Sequence, residues 1–257
     1  MKVAALQLSS LPLDLKKIEE HVKLCSSKGA RLVLIGEYVL NRFFKELVNT
    51  PPKMIEKQSQ NHIQALKEIA NTTEVCIVAP LVVKRGGGFV KVAAKFEKNK
   101  NPRYYPQQKF IGYKHWDEDN FFIKPNGEFK LNTFNFEGLK FAVVFGYELH
   151  FDEFFLEIKK RGVDVLLLPT ASTFDSLHRW REIIRVRAFL NSIYILRANR
   201  IGRYKEDAND VWHFYGDTLL CSPEGEICGE LGDKEEVLLV LLDKKYIKDV
   251  KKLWKFE

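Results

Sequence analysis

Long apolar runs are missing from this chain. Nowhere in its 257 residues do 18 apolar residues follow one another, so the sequence offers no membrane-spanning helix and no membrane partner is expected. The first residues, Met1-Lys-Val-Ala-Ala-Leu-Gln-Leu8, are too short an apolar run for a signal peptide and read as a strand. Cysteine is scarce. Cys25, Cys76, Cys221 and Cys228 form no C-x-x-C pair, so free thiols in a reduced, cytoplasmic setting are the expectation. Metal-ligand spacings are absent as well: the six His show neither H-x-H nor H-E-x-x-H, and no metal or other cofactor is expected. No G-x-G-x-x-G follows the first strand, where Gln7-Leu-Ser-Ser10 stands. The triplet Gly86-Gly-Gly88 leads into neither a helix nor Gly-Lys-Ser/Thr, which excludes a phosphate loop. No linker or low-complexity stretch interrupts residues 1–257, so one domain is expected.

What the chain has is a 46% hydrophobic content, enough for a substantial core, and a net charge of +7. The Lys and Arg are dispersed. The densest group, residues 244–255, places Tyr246, Ile247, Val250, Leu253 and Trp254 on one helical stripe. That is a solvated basic face over a packed one, and no nucleic-acid partner is expected.

Strand and helix patterns alternate, the sign of an α/β fold. Residues 3–8 read as a strand, 13–28 as a helix stopped by Gly29, and 31–35 as a buried strand ending at Gly36-Glu37. A helix over 58–71, a strand over 74–80 and a hairpin over 81–96 follow. Residues 104–122 lack a period and are rich in aromatics and charge, as a functional loop would be. Residues 129–136 alternate as a strand. The stretch Phe141-Ala-Val-Val-Phe-Gly-Tyr-Glu-Leu-His-Phe151 reads as a strand buried on both faces, a sharp elbow at Gly146, and a helix over 148–161 with acids early and bases late. Strand 163–169, helix 179–192 and strand 194–199 come next. A polar loop over 204–212, a strand over 214–222 and a last run over 237–242 complete the chain. The two halves repeat one β-α-β pattern, which implies similar layers facing one another, with Glu37 and Thr170 at equivalent strand ends.

These pieces resemble the nitrilase, or carbon–nitrogen hydrolase, superfamily along the whole chain. The likeness is carried by the segment ending at Glu37, by Lys109-Phe-Ile with Glu118 before Phe121-Phe122, and by the Val144-Phe-Gly-Tyr-Glu-Leu-His-Phe151 elbow. Gly162-Val-Asp-Val-Leu-Leu-Leu-Pro169, Arg187-Ala-Phe-Leu-Asn191, Asn199, Phe214-Tyr-Gly216 and Pro223-Glu-Gly225 complete it. The resemblance implies a four-layer α-β-β-α sandwich and hydrolysis of non-peptide amides, N-carbamoyl compounds or nitriles by a Glu-Lys-Cys triad. It implies Glu37 as general base, Lys109 as the cation facing the oxyanion, with Lys114 a less well-spaced rival, and Glu118 as auxiliary carboxylate. A homodimer through 152–158 and the C-terminal tail is also implied.

The family's elbow carries Cys where this chain has Gly146, followed by Tyr147 and Glu148, and Leu190 stands where the family usually has Glu. Glycine is expected to suit an elbow of unusual backbone angles, but it brings no nucleophile. The expectation is a catalytically impaired or non-catalytic relative that binds a small amide or carboxylate near Tyr147, Glu148, Thr170 and Ser172. The alternatives are an active hydrolase that uses a water activated by Glu37 or the hydroxyl of Ser172 or Thr170, and an engineered Cys-to-Gly form of an active amidase. His150 and His178 are within reach of such a pocket, but a satisfied structural role is the expectation for both. The Trp116-Asp117-Glu118 segment and residues 204–212 are expected at its mouth, where their aromatic and acidic groups would suit a cationic amine tail.

Overall fold

The computed structural model describes residues 1–11, 13, 15–205 and 211–256. Residue 14 of the expected first helix and residues 206–210 of the expected polar loop therefore lie outside the described residues. In chain order the strands are β1 (Lys2–Gln7), β2 (Leu32–Ile35), β3 (Cys76–Arg85), β4 (Gly88–Phe96), β5 (Arg103–Pro106), β6 (Gly112–Tyr113), β7 (Trp116–Asp117) and β8 (Thr133–Phe136). They continue as β9 (Leu139–Val143), β10 (Val165–Thr170), β11 (Tyr194–Asn199), β12 (Ile201–Lys205), β13 (Val211–Tyr215), β14 (Leu219–Cys221), β15 (Ile227–Glu230) and β16 (Glu236–Leu241). The α-helices are α1 (Leu15–Ser27), α2 (Phe44–Leu47), α3 (Pro52–Thr73), α4 (Glu118–Phe121), α5 (Asp152–Lys160), α6 (Leu177–Asn191) and α7 (Lys244–Trp254).

Two six-stranded sheets form, in the orders β16-β1-β2-β3-β4-β5 and β15-β14-β11-β10-β9-β8. Each has three parallel strands at its centre, β1-β2-β3 and β9-β10-β11, flanked by antiparallel ones. The repeat read from the sequence is thus a repeat of topology. Strand alternation sorts the side chains into layers. Val3 and Ala5 of β1 meet Phe141 and Val143 of β9 and Leu167 of β10 in a core between the sheets. Ala4 and Leu6 turn the other way, onto Ile18 and Val22 of α1 and Leu66 of α3. Ala142 and Leu166 turn away from the seam onto Phe154 and Ile158 of α5 and Ile184 of α6. Helix, sheet, sheet, helix is the four-layer sandwich that the resemblance implied.

Several boundaries differ from the sequence reading. The long helix begins at Pro52, with Pro suited to a first helical turn whose N–H has no partner. The stretch expected as a helix over 148–161 splits into a 3-10 turn, Gly146–His150, and then α5, with extended Phe151 between them. Residues 104–122 contain β5, the β6–β7 ribbon and α4 rather than one loop. Residues 204–205 and 211–212 belong to paired strands, Tyr204 opposite Trp212. Among the described residues, no helix is long and apolar enough to cross a membrane.

The two sheets touch at the strand ends. A Cβ on Gly36 would lie 3.0 Å from the Ala198 carbonyl oxygen, so main chain meets main chain there. Glu37 N–H then donates to the Thr170 carbonyl at 3.2 Å, which joins the two equivalent strand ends. Gly216 is equally constrained. Its φ is +78°, and a Cβ would fall 2.5 Å from the Gly232 carbonyl oxygen and 2.8 Å from Gln7 Nε2. Gly216→Ala is expected to lower unfolding stability by more than about 1 kcal/mol in a denaturant titration, since both backbone strain and the clash act together.

Candidate functional site

At the joined strand ends lies a cavity of about 420 Å³, within the range of small-molecule sites. Glu37, Glu118, Gly146, Tyr147, Thr170 and Ser172 of the expected site residues line it. Gln107, Trp116, Phe174 and Trp180 add much of the remaining wall, and Tyr113, His150 and Arg179 are exposed lining residues at its rim.

The charged centre is a three-membered ion cluster. Lys91 Nζ lies 2.5 Å from Glu37 Oε2 and 3.0 Å from Glu118 Oε1. The three residues are 2%, 6% and 0% exposed, so little solvent screens them. Tyr38 donates its hydroxyl to Glu118 Oε1, and the Lys91 ammonium sits 4.4 Å from the centre of the Tyr38 ring. Burial pushes the Glu37 carboxyl above its usual range against the pull of Lys91, and the Glu118 charge adds to the rise. Burial works against the Lys91 charge too, yet Glu118 and Glu37 together hold its pKa above normal.

The ammonium is therefore not that of Lys109. Lys109 Nζ pairs with Glu153 at 2.7 Å, its side chain is 38% exposed, and it does not line the cavity. Strand β5 ends at Pro106, so side-chain alternation lapses before Lys109, and Gln107 takes the cavity-facing place. Lys91 comes from the middle of β4, where a lysine inside the apolar run Phe89-Val-Lys-Val-Ala-Ala94 was the overlooked signal. Lys114 is exposed and outside the lining as well.

Glu148 also departs from its expected place against a ligand. It is 1% exposed, and its carboxylate accepts the N–H groups of Gln108 (2.6 Å), Lys109 (3.2 Å) and Phe145 (2.9 Å). It ties the chain after β5 to the elbow. Burial pushes this carboxyl up to about 7 even with those three donors pulling it down.

Gly146 opens the 3-10 turn and donates its N–H to Glu37 Oε1 at 3.0 Å. Its φ lies outside the left-handed region, so no backbone constraint calls for glycine, contrary to the expectation for this elbow. A Cβ there would meet Glu37 Oε1 at 3.1 Å, Thr170 Cγ2 at 3.2 Å and Trp180 Cη2 at 3.4 Å. No thiol is near: Cys25, Cys76 and Cys221 are buried elsewhere, Cys228 is exposed, and none lines the cavity.

The hydroxyls of Thr170 and Ser172 rest on Arg197, which is fully buried. Its Nε donates to Thr170 Oγ1 at 3.1 Å and its Nη2 to Ser172 Oγ at 2.7 Å. Asp217 neutralises it at 2.7 Å, and Thr170 Oγ1 donates onward to Asn199 Oδ1 at 2.8 Å. A guanidinium accepts no proton, so this contact orients the hydroxyls without activating them. Of the two histidines, His150 lines the rim with Nδ1 3.0 Å from the Tyr147 carbonyl, and His178 stands outside the lining. Asp117 caps α4 through the Asn120 N–H at 3.3 Å, and like Tyr204 and Trp212 it does not line the cavity. Among the described residues no three His, Cys, Asp or Glu cluster as metal ligands would.

The carbon-nitrogen hydrolase family model matches residues 2–252. N-carbamoylputrescine amidase of Solanum tuberosum is 24% identical over 266 residues, covering 93% of this chain and 84% of the relative. A carbon–nitrogen hydrolase from Helicobacter pylori G27 superposes with a TM-score of 0.86 at 20% identity, over all of this chain and 93% of its own. A variant of the amidase from Nesterenkonia sp. AN1, with acrylamide added at its active site cysteine, superposes with a TM-score of 0.82 at 22% identity, over 99% and 98% of the two chains.

Lys91→Met strands two buried carboxylates and is expected to lower unfolding stability by about 3–5 kcal/mol at neutral pH. Lys109→Met, which removes a half-exposed pair, should stay within about 1 kcal/mol. A carboxyl whose folded pKa lies above its unfolded value binds its proton more tightly when folded, so its contribution to stability grows as pH falls through the folded value. The Lys91→Met deficit should therefore shrink on acidification as Glu37 takes up a proton. Denaturant titrations at several pH values check both points.

Proposed function

Since the chain belongs to the carbon–nitrogen hydrolase family, we propose that it is a member that holds a small amide or N-carbamoyl ligand in the cavity and does not hydrolyse it by thiol catalysis. One observation carries this reading: Gly146 heads the elbow turn with its N–H on Glu37, beside an assembled Lys91–Glu118 pair and with no cysteine lining the site. The family likeness supports an amide or carbamoyl ligand, as do relatives named for N-carbamoylputrescine. Glu37 and Glu118 line the cavity with the Lys91 ammonium paired behind them, and this acidic wall favours an amide over a carboxylate ligand.

In this reading Gly146 occupies the nucleophile position, Glu37 that of the base and Glu118 that of the auxiliary carboxylate, with Lys91, which does not itself line the cavity, as the ammonium paired to both. Tyr147, Thr170 and Ser172 shape the wall. A cytoplasmic setting and a homodimer belong to the same proposal, supported respectively by four free thiols and by exposed Leu156 on α5 with Val186 and Leu190 on α6. A second reading, turnover through a water activated by Glu37, is favoured by the 3.1 Å between Glu37 Oε1 and the point where a Cβ would stand, a hydrogen-bond distance.

Gly146→Cys tests the proposal. The new Cβ stands 3.1 Å from Glu37 Oε1 and 3.2 Å from Thr170 Cγ2, so both side chains must give by a few tenths of an ångström to admit it. The variant is expected to release ammonia from small amides or N-carbamoyl amines on the order of 10²-fold faster than the unmodified chain, and to react with iodoacetamide at the new thiol. Equal release by the unmodified chain, abolished by Gly146→Ala, would instead establish the water route.

A further inference from the structure

Phe174, at the mouth of the cavity, is both strained and exposed. Its φ is +61°, in the left-handed region where a bulky side chain is out of place and Gly or Asn is usual. The residue lines the cavity, yet it is 55% exposed, so packing in the free protein returns little for the strain. The bend that carries it is firmly tied. Thr173 bridges to Phe214 and donates its hydroxyl to the His213 carbonyl at 2.8 Å, and Ser176, just before α6, donates its hydroxyl to the Thr173 carbonyl at 2.6 Å. Phe174 is thus held out between β13 and α6 by contacts on either side of it.

Other rings continue from it. Between ring centres, Phe174 is 4.8 Å from Trp212 and 6.0 Å from His115, His115 stacks on Tyr113 at 5.7 Å, and Tyr113 meets Tyr147 edge-on at 6.1 Å. Tyr113 is 50% exposed and lines the cavity with Tyr147 and Phe174, while α6 adds Trp180 and Ile183. Apart from His150, Arg179 is the one charged group among the described lining residues outside Glu37 and Glu118. A head group seated against those carboxylates leaves this ring-walled outer part to the rest of the ligand. An ammonium tail would meet the like charge of Arg179, and a carboxylate tail would lie among rings whose faces carry negative charge. An aromatic ring fits the walls by edge-to-face and offset contacts. Resting on the reading of this cavity as an amide or carbamoyl site, we infer that its ligand ends in an aryl tail seated in the mouth, with Phe174 the residue that determines this specificity and Arg179 turning ammonium tails away.

Three amides with one head group test this: 3-phenylpropanamide, hexanamide and 5-aminopentanamide. In NMR titrations of the full chain, 3-phenylpropanamide is expected to bind about fivefold more tightly than hexanamide, and 5-aminopentanamide most weakly of the three. Phe174→Asn removes the ring and places a residue suited to the left-handed backbone there. It should cancel the preference for 3-phenylpropanamide over hexanamide while leaving the melting temperature of the free protein unchanged or raised, a pairing that a merely structural phenylalanine would not produce. Phe174→Tyr, which keeps the ring, should keep the preference, and Arg179→Gln should narrow the gap between 3-phenylpropanamide and 5-aminopentanamide. Equal or tighter binding of hexanamide or 5-aminopentanamide by the unmodified chain, or a preference that survives Phe174→Asn, would overturn the inference and leave the amide reading standing. Failure of all three to bind would overturn the inference and, if Gly146→Cys also releases no ammonia, the amide reading with it.

Discussion

A buried ammonium between two buried carboxylates organises this protein's pocket. Lys91, Glu37 and Glu118 come from strand β4, the end of β2 and the start of α4, and each would be untenable alone in so dry a place. Their mutual contacts fix where the chain after β5 and the short helix α4 can lie. Glu148 repeats the device with neutral donors, gathering three N–H groups onto one carboxylate and pinning the elbow to the chain opposite. Arg197 with Asp217 does so in the second sheet, under Thr170 and Ser172. The pocket's shape is thus set by polar clusters that the surrounding sandwich keeps dry, and its rim by aromatic rings.

Much of this was legible in the sequence. Alternating strands and helices and the repeat of halves pointed to two similar facing layers with Glu37 and Thr170 at one edge, and the family resemblance supplied the four-layer sandwich. Carboxylates at strand ends are readable because a continuous apolar run stops at them. Lys91 was harder. It sits in the middle of a strand and its partners are 54 and 27 residues away in the chain, so no local spacing announces the pair. Lys109 misled because family likeness points to a lysine beside Phe110, while the strand that would aim it at the cavity ends at Pro106. Charge order over 148–161 matched one helix, and it could not reveal that extended Phe151 divides it.

The site's chemistry turns on what a glycine leaves behind. Gly146 adopts backbone angles open to any residue, so its identity is a matter of side-chain space and chemistry, not of chain conformation. Glu37 answers by accepting the Gly146 N–H, a neutral donor. A carboxylate engaged by both an ammonium and an amide is held in one orientation.

The close approach at Gly36 has a consequence for how the pocket arises. Because main chain touches main chain there, the base of one half and the wall of the other come together only when the two sheets have docked in register. Either half folded alone would carry an incomplete pocket. The cavity depends on contacts between residues more than a hundred positions apart, Glu37 with Gly146 and with Thr170, so it exists only where the two sheets are docked.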